Sequence, residues 1–515
     1  MSGAGFGGGS SAKTTRRRFL EVVAGGAAWV ALTSTLGCEL TRRSRATESN
    51  AWPEPALGYR SRPDLRPPGV RVVKEARGTA AGFVFIAPKK DYAMEHPEDA
   101  GQDGAMILDN HGRPVWFRPA RSEGENAMDF KVQRYKGRPV LTWWEGTHTG
   151  YGSGEYVILD DSYREVTRVR AGNGYKGDHH EFFITPRDTA LLTVYGRASR
   201  DLSHLGGPED GEALEGIIQE VDIETGQVLF EWHSLDHVAP EESYYEPPED
   251  PIWPFDYFHI NSIEIDHDDH LLVSARRTCA VYKINRQTGE VMWRLCGKMS
   301  DFELDSNFRT RAYQHDARRQ PDGTLTLFDN GVLDVHENSR GIVLDLDEDA
   351  MTATIAREYD HPEDRVSATQ GNMQVLPGGN VFVGWGSEPL FSEFHSDGEL
   401  LFGATLPRWG ESYRAFRFPW SGQPEEDPAL ATETGPEDLV TLYVSWNGAT
   451  EVATWQALAG PSPERLRPVE TVPRDGFETT IAVRTTEPYV GVRARDRSGR
   501  VLGAARPVRP ENSTE

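Results

Sequence analysis

The sequence predicts an all-β protein, a six-bladed β-propeller followed by a β-sandwich. Short apolar segments separated by Gly, Asp, Asn and Pro follow one another from about residue 76, with no long amphipathic helix among them. Paired segments recur about every fifty residues, and each later pair is followed by a second hairpin. Four strands per repeat in a radial arrangement are typical of a propeller blade, whereas a β-solenoid, the competing architecture, has shorter and more uniform repeats.

Six repeats can be counted, and the first strand of each is expected to line the central channel. They begin near residues 82, 130, 180, 259, 315 and 370. The propeller is therefore predicted over residues 76–430. From 435 to 510, alternating strands with turn residues between them predict a sandwich of the immunoglobulin or fibronectin type.

The first 38 residues have the features of an export signal. Arg16 and Arg17 form a twin-arginine pattern before an apolar run that is short for a membrane span. We predict a Tat signal that directs the chain to the periplasm or cell surface, with a transmembrane anchor as the alternative. The run ends like a lipobox at Cys38, so this residue is either lipid-anchored or close to a simple cleavage site. Residues 39–75, rich in Arg, Pro, Ser and Glu, are predicted to be a linker.

The charge balance restricts the partners. Asp and Glu number 80 against 55 Lys and Arg, which gives a net charge of −25. Such a chain repels phosphate backbones and anionic membrane surfaces, so we expect no nucleic-acid partner and membrane contact only through a lipid at the N-terminus. An anionic substrate would need a few Arg or Lys placed at its site.

Two cysteines beyond the signal flank the hairpin CAVYKINRQTGEVMWRLC. Pairing Ile284 with Val291 places Cys279 opposite Cys296 at a Cα separation of about 4.5–5.5 Å. This overlaps the range for a disulfide, which export would permit. Two buried thiols are the alternative.

Three histidines occupy the same position in successive repeats. His180, His259 and His315 each open a first strand, so their imidazoles are expected to converge at one end of the channel. His179 is expected to point away, because neighbouring strand residues face opposite sides. A metal centre built from the three converging histidines is the rival interpretation.

The second strands run back toward the same end of the channel. Their last residues are Tyr195, the pair Arg276 and Arg277, and Asn330. A guanidinium beside three imidazoles is suited to binding an anion. There is no nucleophile elbow, P-loop or CxxC motif that would indicate another chemistry.

Several motifs, in this order and spacing, resemble the arylsulfotransferase family over most of 80–510. They are HEF (180–182), HINSIE (259–264), SAR (274–276), YKINRQTGEVMWRL (282–295), QHDAR (314–318), LFDNG (327–331), GWGS (384–387) and SYRAFRFPW (412–420). The resemblance implies a propeller in which an aryl sulfate transiently sulfurylates a histidine, without a nucleotide sulfate donor. Two residues depart from the pattern: Arg277 stands where a histidine is expected, and Cys296 where a glycine is expected.

The resemblance also implies roles for single residues. His315 corresponds to the sulfurylated nucleophile, and His180, His259, Asn261 and Arg276 correspond to its transition-state partners. Apart from the resemblance, Arg277, Tyr195 and Asn330 are expected to bind substrate because they lie at the ends of the second strands.

The expected function is transfer of a sulfuryl group from a phenolic sulfate ester to a phenol. The aryl sulfate is the co-substrate donor, and neither a cofactor nor a metal is expected. Two alternatives remain, a non-catalytic binding or scaffold propeller and a metal-dependent hydrolase or lyase that uses the three histidines.

The export signal makes a testable prediction. Replacing Arg16 and Arg17 together with Lys should leave the protein in the cytoplasm, because the Tat route requires the arginine pair. Cell fractionation followed by immunoblotting measures this. The variant Arg18→Lys, outside the pair, is the control, and unchanged export of the double variant would refute the assignment.

Overall fold

The computed structural model describes residues 56–91, 93–250, 252–305, 313–331 and 338–510. The predicted export signal, including Cys38, lies outside these residues. Within them, no helix has the length and apolar character needed to cross a membrane.

The structure confirms the all-β class. In chain order, the strands of the first part are β1 (Arg71–Lys74), β2 (Phe83–Lys90), β3 (Gly104–Leu108), β4 (Pro114–Pro119), β5 (Asn126–Tyr135), β6 (Arg138–His148), β7 (Gly152–Leu159), β8 (Glu165–Val169), β9 (Gly177–Ile184), β10 (Thr189–Arg200), β11 (Gly211–Asp222), β12 (Val228–His233) and β13 (Phe255–Asp256). They are followed by β14 (Ile260–Ile265), β15 (Leu271–Ala275), β16 (Ala280–Ile284), β17 (Val291–Cys296), β18 (Glu303–Leu304), β19 (His315–Arg319), β20 (Leu325–Asp329), β21 (Arg340–Asp347), β22 (Thr352–Asp360), β23 (Asn372–Val375), β24 (Val381–Gly384), β25 (Leu390–Phe394), β26 (Leu400–Thr405) and β27 (Gly410–Phe418).

The last strands are β28 (Ala429–Thr434), β29 (Leu439–Ser445), β30 (Thr454–Gly460), β31 (Arg467–Pro473), β32 (Glu478–Arg484), β33 (Tyr489–Arg495) and β34 (Val501–Ala504). In the part of the chain that the structure describes, the helices are single 3₁₀ turns, Ser203–Leu205, Ser234–Asp236 and Pro240–Glu242.

Among the described residues, 24 of the 27 strands before β28 form six antiparallel meanders of four strands, and β1, β13 and β18 each pair with a strand of a meander. The orders of the meanders are β27-β2-β3-β4, β5-β6-β7-β8, β9-β10-β11-β12, β14-β15-β16-β17, β19-β20-β21-β22 and β23-β24-β25-β26. The second and third meanders join in one sheet because β7 pairs with β9. Turn residues separate the strands as the sequence predicts: in the β19–β20 turn, Gly323 has φ +92° and Asp322 accepts a hydrogen bond from the Thr324 amide.

The six strands at the inner edges contact one another in a ring. β5, β9, β14, β19, β23 and β27 each lie against the next, and β27 lies against β5. The prediction that residues 82–88 form the inner strand of the first repeat is wrong, because β2 is second in its sheet and β27 takes the inner place. The pairing of β27 with β2 joins the last strand of the repeats to the first meander.

The segment predicted as a linker is structured in its described part. β1 pairs with β26 at the outer edge of the sixth meander, and Leu65 is buried. The Ser61 amide and hydroxyl both donate to the carboxylate of Glu478 on β32. Residues 56–75 therefore pack against two sheets, which the polar composition of the segment concealed.

The C-terminal strands form two sheets, β28-β29-β32 and β31-β30-β33-β34. Apolar side chains from both sheets share one core, including Leu442, Ile481, Trp455 and Val492. In β32, buried and exposed residues alternate, as expected of a strand with one face on a core.

The hairpin between the two cysteines differs from its predicted register. Ile284 pairs with Val291 as predicted, but a bulge next to this pair places Cys296 opposite Ala280 rather than Cys279. The structure keeps Cys279 and Cys296 as separate buried thiols, so the predicted disulfide is not formed.

A buried ion cluster connects the inner strands. Arg414 on β27 donates to Asp129 on β5 at 2.9 Å and to Glu181 on β9 at 3.3 Å. Its other terminal nitrogen donates to the Asn261 carbonyl oxygen on β14 at 2.8 Å and lies 3.4 Å from Asp316 on β19. Asp316 in turn accepts from the Met373 amide on β23. One guanidinium and its partners therefore touch all six inner strands.

Further cations neutralise the carboxylates of this cluster. The ammonium of Lys131 lies 2.7 Å from both Asp129 and Glu181. Arg318 contacts Glu181 and lies 2.7 Å from Asp316. Because a buried charge without a partner costs several kcal/mol, each member of the cluster depends on the others.

Arg414 gives a prediction for stability. Arg414→Met should lower the free energy of unfolding by about 3–5 kcal/mol, because it leaves buried carboxylates without their partner. Urea denaturation followed by tryptophan fluorescence measures the loss. The control is Arg164→Met, which removes an exposed ion pair with Asp160 and should cost less than about 1 kcal/mol. Equal losses in the two variants would contradict the central role of Arg414.

Candidate active site

Bulges shape the inner strands where the candidate residues lie. The pairing register shifts after Ile260 in β14 and after His315 in β19. His259 and Asp316 have φ of 55° and 59°, in the left-handed region that side chains other than glycine rarely adopt. Strain of this kind persists where the surrounding structure imposes it, commonly at functional sites.

The structure brings the three predicted histidines together. The ring centroids of His180 and His259 are 5.0 Å apart. Both imidazoles lie close enough to His315 to contribute electrostatically to lowering its pKa. All three rings are largely or fully buried.

His179 also faces this cluster, contrary to the prediction from strand alternation. Its ring stacks on that of His180 with centroids 4.0 Å apart, and His148 lies 5.5 Å away on its other side. The cause is a bulge in β9: Leu192 and Val194 of β10 are two residues apart, whereas their partners are Phe182 and Gly177. The extra residues of β9 break the alternation of faces.

Each of two histidines is held by an aspartate that sequence analysis missed. The Nδ1 of His180 donates to Asp178, and the Nδ1 of His259 donates to Asp256, both at 2.5 Å. Because a carboxylate only accepts, the proton of each neutral ring is on Nδ1 and the lone pair is on Nε2. The signal was present as an Asp two or three residues before each histidine, in DHH (178–180) and DYFH (256–259).

His315 is held by an amide instead. Its Nδ1 lies 2.6 Å from the Asn330 side-chain oxygen and 3.0 Å from the Tyr313 carbonyl oxygen. The Asn330 amide nitrogen donates to the Ser367 and Gln370 carbonyl oxygens, so its oxygen must face His315. The proton of His315 is therefore on Nδ1, and Nε2 accepts from the Gln370 backbone amide at 3.2 Å. Both polar atoms of the Asn330 side chain are used in this way, so in this structure the side chain orients His315.

The pKa values in the cluster are shifted by burial. Burial, followed by the charge of Arg276, lowers the pKa of His315 well below its usual value. Burial also lowers the pKa of His180 and His259, although their aspartates act in the opposite direction. The imidazoles are therefore neutral near pH 7.

Arg276 and Arg277 extend from the end of β15 toward different neighbours. The guanidinium of Arg276 lies over the Tyr313 ring at 4.5 Å and donates to the Ala368 carbonyl oxygen at 3.1 Å. That of Arg277 lies over the Tyr245 ring at 4.0 Å. In both residues Nε is buried and makes no hydrogen bond within the described residues.

Tyr195 and Asn261 complete the predicted set. The Tyr195 ring lies 5.7 and 5.9 Å from the rings of His180 and His259, and its hydroxyl donates to the Ile260 carbonyl oxygen. The Asn261 amide nitrogen donates at 2.7 Å to the carbonyl oxygen of Gln314. Asn261 thus holds the backbone directly before His315.

A cluster with metal-ligand atoms occurs at Asp178, His179 and His180. Within the described residues, these ligand atoms lie within 4.8 Å of one another, but the group does not include His259 or His315. Asp178 already accepts from the His180 ring, the His180 amide and the Gly152 amide. The geometry therefore gives no support to a metal centre on the three converging histidines.

The buried histidines give a prediction for pH dependence. Burial lowers the pKa of His179 to about 4, so below pH 6.5 the unfolded chain binds a proton that the folded chain does not. Folding stability should then decrease by about 1.4 kcal/mol per pH unit for this group as pH falls from 6.5 to 4. In His179→Gln, the measured plot of unfolding free energy against pH should become less steep by the contribution of about one proton. His111→Gln, at an exposed site, is the control. An unchanged slope in His179→Gln would contradict the assignment.

Solved structures that are similar to this chain share little of its sequence. A protein of unknown function from Bacteroides caccae is similar with a TM-score of 0.39 and 14% identity over 65% of this chain and 98% of its own. An inactive variant of virginiamycin B lyase from Staphylococcus aureus, solved with quinupristin, has a TM-score of 0.30 and 11% identity over 63% of this chain and 82% of its own. Both similarities are too weak to assign a fold. Comparison with curated proteins gives no match.

One protein-family model matches a long continuous part of the chain. The model of the family described as arylsulfotransferase (ASST) matches residues 131–406, which is more than half of the chain. The matched range includes His180, His259 and His315, as well as Arg276 and Asn330. The chain belongs to the arylsulfotransferase family.

Proposed function

We propose that the protein transfers a sulfuryl group from an aryl sulfate to a phenol through a covalent intermediate on His315. The observation that carries the proposal is the hydrogen bond from His315 Nδ1 to the oxygen of Asn330. It fixes the proton on Nδ1 of a ring that burial keeps neutral, so the lone pair is on Nε2, where the sulfur of the donor would replace the Gln370 amide as its partner. A neutral imidazole with an oriented lone pair is a competent nucleophile.

The fold that we propose is a six-bladed propeller with an immunoglobulin-like or fibronectin-like sandwich behind it. The ring of contacts among the six inner strands supports six blades. The shared core of the two C-terminal sheets supports the sandwich.

In the first step, His315 Nε2 forms a bond to sulfur as the bond from sulfur to the aryl oxygen breaks. The phenolate leaves and takes the Nε2 proton of His180 or His259, one of which enters this step as an imidazolium stabilised by its aspartate and by the negative charge of the bound sulfate, and is left neutral. In the second step, that histidine removes the proton of the incoming phenol, whose oxygen attacks sulfur and releases His315. The aspartates behind both histidines stabilise their protonated forms and keep their Nε2 atoms oriented.

The negative charge on the sulfuryl oxygens must be stabilised by hydrogen-bond donors that are held in fixed positions. Arg276 supplies a buried cation close to His315. The Gln370 backbone amide, 3.2 Å from His315 Nε2, is placed to donate to a sulfuryl oxygen once sulfur is bonded there. We propose that Asn261 positions His315, because its side chain donates to the carbonyl oxygen of the preceding residue, Gln314.

The nucleophile gives the central prediction. Wild-type protein incubated with 4-nitrophenyl sulfate should gain about 80 Da, the mass of one SO3 group, on His315, because the two-step route passes through that adduct. His315→Asn should lose both the adduct and turnover. Intact-mass spectrometry and release of nitrophenol measure the two. An adduct on the His315→Asn protein would show that another histidine attacks.

Arg276 should contribute to the rate without being essential. Arg276→Ala should retain turnover at a rate lower by about 10² to 10³, as for loss of one oxyanion donor. Steady-state kinetics with 4-nitrophenyl sulfate measure this. A rate equal to that of wild type would exclude Arg276 from charge stabilisation.

A further inference from the structure

Arg277 is a buried cation whose hydrogen-bonding capacity is largely unused. Its side chain is 7% exposed, and its Nε is buried without a hydrogen-bond partner in the described residues. The ion pair with Asp256 is loose, with Nε and Oδ2 3.8 Å apart, and this Oδ2 accepts a hydrogen bond from His259. A buried guanidinium that is not hydrogen-bonded is costly, so such an arrangement usually has a reason.

A nearby structural arginine shows the contrast. Arg286 follows β16 of the same meander and is 8% exposed in its side chain. It donates to Glu220 and, at 3.0 Å, to Asp269. The pairing that stabilises Arg286 is thus missing at Arg277, although the burial of the two is similar.

Arg277 contacts one aromatic ring, and two further rings continue from its neighbourhood toward the histidines. One face of its guanidinium lies on the Tyr245 ring, 4.0 Å away. Its charge also acts on Tyr195, whose ring contacts His180 and His259. Tyr151 stacks on Tyr195 with centroids 5.4 Å apart, and both rings are partly exposed. These rings offer flat apolar surface to an aromatic molecule next to the histidines.

The guanidiniums of Arg276 and Arg277 contact different neighbours. Arg276 lies against Tyr313 and the Ala368 carbonyl oxygen, on the side of His315. Arg277 lies against Tyr245 and Asp256, on the side of His259. The site therefore has two cations. Arg276 lies near the place of the proposed sulfuryl group on His315, and Arg277 lies closer to the aromatic rings.

We propose that Arg277 binds a carboxylate carried on the aromatic ring of the substrate, so that the site prefers carboxylated phenols and their sulfate esters. This inference rests on the proposed function for the identity of the arene. A carboxylate matches the two parallel N–H groups of a guanidinium, and the bond is strengthened by charge on both sides. The neutral face of Tyr245 holds the guanidinium plane in place.

The test is equilibrium binding of a matched pair, 4-hydroxybenzoate and its methyl ester, measured by calorimetry. The two differ in one group, which is an anion in the acid and a neutral ester, larger by one methyl, in the other. Wild-type protein should bind the carboxylate about tenfold to a hundredfold more tightly than the ester, as for one charge-assisted hydrogen-bonded pair. In Arg277→Gln this ratio should fall to near one.

Two further variants complete the design. Arg277→His, which places at this position the residue expected from related sequences, should also lose most of the preference and guards against failure of Arg277→Gln to fold. Arg134→Gln removes an exposed cation that donates to the Gly137 carbonyl oxygen, outside the proposed site, and should keep the wild-type ratio. Equal binding of the two compounds by wild type, or a wild-type ratio in both Arg277 variants, overturns the proposal.

The binding test is independent of sulfuryl transfer. Repeating it on the His315→Asn protein should give the wild-type ratio, because Arg277 is intact. A preserved ratio without an adduct on wild-type protein would refute the transfer chemistry and leave the carboxylate subsite standing. An adduct together with a ratio of one would refute the subsite alone.

Discussion

The ion cluster centred on Arg414 is the constraint on which the site depends. A guanidinium buried at the meeting point of six strands is stable only if the carboxylates of other strands reach it. Asp129, Glu181 and Asp316 do so from three different strands. Glu181 and Asp316 are the direct neighbours of His180 and His315 in the sequence. Because the cluster fixes these two carboxylates, it also fixes the backbone that carries the two histidines.

The bulges explain how one strand serves both the cluster and the site. In a regular strand, successive side chains point to opposite faces of the sheet. If a histidine faced the site, the carboxylate next to it in the sequence would then face the adjoining sheet. The left-handed conformation of Asp316 and the bulge in β9 change this direction locally. The strain of these conformations is offset by ion pairs and hydrogen bonds that are available only in the folded ring.

Much of this site could be predicted from repetition. His180, His259 and His315 were recognised because equivalent positions of repeats meet at one place. The stacking of His179 on His180 could not be predicted, because a bulge leaves no regular pattern in the sequence. The inner place of β27 and the packing of residues 56–75 depend on contacts between distant parts of the chain. The aspartates behind the histidines were visible in the sequence, but only the bulged backbone turns them toward the rings.

The environments of the three histidines separate their roles, which the repeat pattern leaves equivalent. His180 and His259 each face a carboxylate, which favours the protonated ring and opposes the effect of burial on the pKa. His315 faces the cation of Arg276 and an uncharged amide, so no carboxylate opposes burial, and its pKa is lowered well below its usual value. Groups whose pKa values are driven apart in one site are suited to different tasks. In the proposed reaction, the two histidines with aspartates are suited to carry a proton between phenols, and the ring that resists protonation is suited to attack sulfur. The proposal of His315 as nucleophile therefore has a physical argument beside the family resemblance.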